Sequence, residues 1–336
     1  MIHRFHAIGT AALLGVLSLV GCYRQPSPPM APEKLPVMVS ILPQKYFVEQ
    51  IGKDLVTVDV MVPPGAEPHT FEPKPEQLKA LSRAKAYLRI RIDFEQAWMD
   101  KFAAVNPKMV IVDTTQGIQR LATPAAHHEA THGETPHTSA ERRENLDPHI
   151  WLSPRLVKTQ AQTIADALGQ LDPNHRANYQ ANRQKFQANL DTLDADIRDT
   201  LKGVKNRKFI VFHPSWSYFA RDYQLEQIPI EVGGQEPSAA ELADLIAKAK
   251  QNNIKVVFAE PQFSKQTAET IAKEIGGEVV VVDPLSPDWQ ANLRNISQTF
   301  ARTMNQSTLP TPSWLAQQMT GLFSALSWNS GALVQP

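Results

Sequence analysis

The sequence predicts an α/β fold of two lobes, each on a roughly four-stranded sheet, joined by one long rigid helix. Short β-branched runs recur in two sets of four, and longer helical patterns separate them. Between the two sets lies an unbroken helical pattern with a single apolar stripe.

The first residues, MIHRFHAIGTAALLGVLSLVGC, carry one early arginine and then an apolar run from Ala7 to Val20. That run is shorter than the ~20 residues a membrane helix needs, so residues 1–21 read as a secretory signal. Leu19-Val20-Gly21-Cys22 has the form of a lipoprotein cleavage site, which makes Cys22 the acylated first residue of the mature chain. Cys22 is also the only cysteine, so no disulfide framework and no thiolate metal site is available. Residues 22–35 are proline-rich and nearly free of large apolar side chains, and read as an extended tether. The 34 basic and 34 acidic residues balance, leaving no basic footprint for nucleic acid.

An N-terminal lobe over 36–171 takes its strands from Val37–Ile41, Val56–Val62, Tyr87–Ile92 and Met109–Asp113. Within it, residues 124–145 lack hydrophobic periodicity and place His127, His128, His132 and His137 among glutamates, the composition of a mobile metal-collecting loop. The linking helix is expected over 172–202, opened by Asp172-Pro173 as cap and first residue. Its stripe is Phe186, Leu190, Leu193, Ile197 and Leu201, and roughly 29 residues at 1.5 Å each extend about 43 Å, enough to cross both lobes. A C-terminal lobe over 203–336 takes its strands from Phe209–Phe212, Ile228–Val232, Val256–Ala259 and Glu278–Asp283. Pro75–Ala84, Ala239–Gln251 and Lys265–Ile275 supply helices laid on the sheets. Gly65-Ala-Glu-Pro68 and Gly234-Gln-Glu-Pro237 echo one another before helical stretches, the first followed by His69 and the second by Ser238.

His69, His149 and His213 each sit just outside an apolar run, and Asp283 closes another in the same way. Ligands of open α/β sheets bind beyond the strand ends, and three imidazoles with one carboxylate form a tetrahedral shell that zinc accepts. Glu67 and Glu260 are alternatives to Asp283 as fourth ligand, or groups that orient an imidazole through its second nitrogen. Pro68, Pro148 and Pro214 adjoin the three histidines and restrict the backbone there, as a preformed site requires.

The site at Cys22, the run PPGAEPHTFEPKPEQL, the His-rich acidic segment, DPHIWLSP, HPSWSYFARDYQL, FAEPQFS and VVDPLSPDW together resemble the zinc-specific substrate-binding lipoproteins of bacterial metal-uptake ABC transporters. The resemblance covers essentially the whole mature chain. It implies a metal held in the cleft between the lobes, with His69 and His149 from the first lobe and His213 and Asp283 from the second. It further implies a monomer anchored through Cys22, periplasmic or at the cell surface, that delivers Zn2+ to a permease and its ATPase. Manganese-transporting relatives tend to carry a carboxylate where His213 stands, so the imidazole favours zinc over Mn2+. A manganese- or iron-binding transport protein of the same family is the alternative.

A secreted zinc hydrolase is the competing class. The chain has no HExxH and no Gly-x-Ser-x-Gly elbow, and a fourth protein ligand would displace the catalytic water, so no enzyme activity is expected.

Overall fold

The structure is a computed structural model that describes residues 34–123, 146–231 and 234–306. The signal segment, Cys22, most of the tether and the segment with His127, His128, His132 and His137 lie outside the described residues. Among the described residues no helix is long and apolar enough to cross a membrane.

The first sheet comprises β1 Leu35–Val39, β2 Val56–Val60, β3 Ala86–Arg89 and β4 Val110–Asp113, all parallel in the order β2-β1-β3-β4. Parallel strands need crossovers, which α1 Leu42–Gly52, α2 Pro75–Leu81 and α3 Asp93–Val105 provide. Val37, Met38 and Val39 of β1 are buried, as a strand covered on both faces requires. β3 stops at Arg89, short of the apolar run that extends to Ile92. Buried Glu95 accepts from the backbone N–H groups of Ile90 and Arg91, and Arg91 turns to φ 60°.

A single turn, Ile150–Leu152, leads into α4 Pro154–Leu171, capped by the Ser153 hydroxyl, and then α5 Arg176–Lys202. The α5 helix starts later than Asp172-Pro173 suggests. The Asp172 carboxylate accepts from His175 Nδ1 and Tyr179 Oη, and Pro173–His175 form a tighter 3₁₀ turn ahead of the helix. The stripe Phe186, Leu190, Leu193, Ile197 and Leu201 is buried throughout. At 27 residues, α5 is about 40 Å long.

The second sheet repeats the first: β5 Lys208–Val211, β6 Glu226–Pro229, β7 Val256–Ala259 and β8 Glu278–Val281, parallel, in the order β6-β5-β7-β8. Its helices are α6 Ser217–Tyr223, α7 Ala239–Gln251, α8 Gln266–Ile275 and α9 Trp289–Gln306. Pro229 is tolerated because β6 is an edge strand.

α5 touches both lobes: Asn182 donates to the Ile51 carbonyl at the end of α1, and Arg294 of α9 pairs with Asp196. Between the lobes, Trp151 Nε1 donates to the Pro284 carbonyl and Trp289 Nε1 to the Trp151 carbonyl, both at 2.8 Å. Trp289 also meets the Phe47 ring edge-on at 4.9 Å. One apolar core therefore runs through both lobes, and a smaller one covers the outer face of the second sheet.

Candidate metal centre

Every strand of each sheet points the same way, so the loops that leave their carboxyl ends gather on one rim. His69 lies in the loop after β2, and His213 follows β5 by two residues. His149 immediately precedes the turn at Ile150. The structure brings these three together: ligand-capable atoms of all three lie within 4.8 Å of one another. His149 Nε2 stands 3.3 Å from His69 Nε2 and 3.2 Å from His213 Nε2. Zinc–imidazole bonds of about 2.0–2.1 Å in a tetrahedron place neighbouring nitrogens about 3.3–3.4 Å apart, so the spacing fits one shared ion.

Each opposite nitrogen faces a carboxylate. His69 Nδ1 is 3.0 Å from Asp93 Oδ2, His149 Nδ1 is 2.8 Å from Asp147 Oδ1, and His213 Nδ1 is 2.6 Å from Glu231 Oε2. An ionised carboxylate only accepts, so these contacts place the proton on Nδ1 and leave each Nε2 lone pair facing the shared point. Three lone pairs crowded together without a cation repel, and a divalent ion removes that cost. The carboxylates also surround the point with negative charge.

Burial holds the His149 pKa down to about 4, with the neighbouring His213 and His69 acting the same way against Asp147. It is neutral and ready to bind metal near pH 7. Burial also works downward on His69, but the hydrogen bond and charge of Asp93, with Glu67 and Glu231 behind it, leave its pKa raised. Trp151 lies beside the His149 ring at 5.0 Å, and Phe263 stacks on His213 at 5.1 Å and 19°.

The carboxylates singled out from the sequence stand elsewhere. Among the described residues, no carboxylate joins the three histidines in the ligand group, Asp283 included. Asp283 Oδ1 accepts from Gln262 Nε2 and the Leu285 N–H, which closes the turn after β8. Glu67 shapes its own loop, accepting from the N–H groups of His69 and Thr70 and from the Thr70 hydroxyl. Burial works upward on Glu67, yet these hydrogen bonds and the His69 charge hold its pKa low. Glu260 is fully buried and accepts from the His213 backbone N–H at 3.3 Å, so it fixes the main chain under that ligand, not the ring. Burial pushes its pKa up to about 8.

The groups that do orient the rings, Asp93, Asp147 and Glu231, were not singled out from the sequence. Asp147 had a local signal, two residues before His149 in DPHIW. Asp93 and Glu231 are separated from their histidines by 24 and 18 residues and had none.

The family model described as zinc-uptake complex component A, periplasmic (ZnuA), matches residues 37–308. The high-affinity zinc uptake system protein ZnuA of Bacillus subtilis (strain 168) is 33% identical over 257 residues, 75% of this chain and 79% of that protein. A zinc-binding protein AdcA of Streptococcus pyogenes serotype M3 is 31% identical over 265 residues, 76% of this chain but only 51% of AdcA. A crystal structure of ZnuA superimposes with a TM-score of 0.74 at 49% identity, covering 81% of this chain and all of that one.

Proposed function

The chain belongs to the family of zinc-uptake complex component A of the periplasm, and on that premise we propose that it holds Zn2+ with His69, His149 and His213 for delivery to an ABC transporter. Its function is extracytoplasmic zinc capture for uptake. The observation that carries the ligand assignment is the pair of Nε2–Nε2 separations, 3.3 and 3.2 Å, with every Nδ1 turned to a carboxylate. Nitrogen donors favour zinc over manganese, which prefers oxygen. Asp283 stays at the rim as a group that holds its own turn, and the fourth donor comes from solvent.

The reading is transport and not hydrolysis. The carboxylates paired with the three rings are committed to Nδ1 atoms, so none of the three is placed as a general base toward a metal-bound water.

Cys22 carries the lipid anchor in this reading, and the protein acts as a monomer beside a permease and its ATPase. His127, His128, His132 and His137 form an auxiliary collecting segment that binds metal more weakly than the three-histidine centre. Equilibrium dialysis of metal-stripped mature protein, with and without residues 124–143, tests this. One tight zinc equivalent should survive the deletion while weaker equivalents disappear; loss of the tight equivalent would refute the assignment.

A further inference from the structure

The three imidazoles are not held equally. His149 and Asp147 sit two residues apart in one loop and are both buried, so ring and carboxylate move as a unit. His213 is fixed twice, by Glu231 at Nδ1 and by the face of Phe263. His69 is different. Its loop leaves β2, whereas its partner Asp93 begins α3 after β3, and the Asp93 side chain is 62% exposed. The Nδ1 contact at 3.0 Å thus ties the mostly covered His69 ring to a separate segment through a solvent-facing carboxylate.

That segment is itself rigid. Ile92 is fully buried, Arg91 is held at φ 60°, and the buried Glu95 accepts from the Ile90 and Arg91 N–H groups at 2.9 and 2.8 Å. Asp93 is therefore a fixed post with an exposed tip. A carboxylate on the far nitrogen orients an imidazole and raises its basicity toward metal. We infer that Asp93 is the positioning residue for His69, and that this contact to an exposed carboxylate sets how fast zinc leaves the site. The inference rests on the three-histidine reading above. Without the contact the His69 ring regains rotamer freedom and presents the wrong nitrogen part of the time, while His149 and His213 keep their own supports.

The experiment is zinc release from the loaded mature protein into excess chromophoric chelator, followed by stopped flow. The variants are Asp93→Ala, Asp93→Asn, His69→Ala and the double variant His69→Ala/Asp93→Ala. Asp93→Ala should release zinc about tenfold faster, the scale of losing such a partner. Asp93→Asn should fall between it and the parent, because its amide oxygen still accepts from Nδ1–H. The metal-free melting temperature should fall only slightly, since the removed carboxylate is largely exposed. In the His69→Ala background Asp93→Ala should add nothing. Release unaffected by Asp93→Ala while His69→Ala accelerates it overturns the inference alone, as does an Asp93→Ala acceleration that persists without His69. If His69→Ala itself leaves release unchanged, the three-histidine reading fails and this inference falls with it.

Discussion

His149 is the pivot of the site at the scale of single residues, because its Nε2 is the nitrogen near both others. Its proximity to an apolar turn and to Pro148 made it legible in the sequence, as did the similar settings of His69 and His213. Asp283 had an equally good sequence setting, but a strand end gives direction only to the backbone. The side chain turns to Gln262 and the Leu285 N–H, a choice set by neighbours that periodicity does not reveal. Asp283→Ala should therefore leave tight zinc binding in place. In contrast, Asp147→Ala, which strips the buried partner of His149, should weaken it by about 10–100-fold. A chelator competition titration that ranked the two variants the other way would return Asp283 to the ligand set.

At the scale of elements, the apolar stripe of α5 was readable because five residues at helical spacing on a polar background have one packing solution. Its regular turns begin at Arg176 and not at Asp172-Pro173, because Pro173–His175 form a 3₁₀ turn with the Asp172 carboxylate drawn to the side chains of His175 and Tyr179. The strands follow the β-branched runs, yet β1, β2 and β8 end two residues before those runs do, and β3 and β6 three. For β3 the carboxylate of Glu95 gathers the next backbone N–H groups into a loop, a tertiary contact with no local pattern. Phe186, on the strut, packs against the rings of Phe47 and Tyr46. Phe186→Ala should cost about 3–5 kcal/mol of unfolding free energy. Urea denaturation of the metal-free protein would read this as a lower midpoint with little change in slope.

For the molecule as a whole, two buried groups near the centre give metal-free stability an opposed pH dependence. Burial keeps His149 neutral down to about pH 4, against an ordinary value of 6.5. Unfolded chains take up that proton first, so stability falls as pH drops from 6.5 toward 4. Glu260 works the other way: burial and nearby Glu231 keep its proton to about pH 8, against an ordinary 4.5. Its contribution is complete below 4.5 and is lost as pH rises through 8. Thermal unfolding across pH 4 to 9 should show both limbs, and His149→Gln should flatten the acid one. Bound zinc should stabilise the protein by about 4 kcal/mol when free metal exceeds the dissociation constant a thousandfold. Two four-stranded sheets were implied by two sets of four runs, but not the strand order that they share. The tryptophan bonds that lock the lobes, Trp151 to Pro284 and Trp289 to Trp151, cross more than a hundred residues and left no trace in the sequence.

The most direct test is a competition titration of metal-stripped mature protein with Zn2+ and Mn2+ against a chromophoric chelator, beside His149→Ala. One tight zinc equivalent, weak manganese binding and loss of the tight equivalent in the variant are the predicted result. Tight zinc that survives His149→Ala, or manganese bound as tightly as zinc, would contradict a three-histidine zinc-capture site.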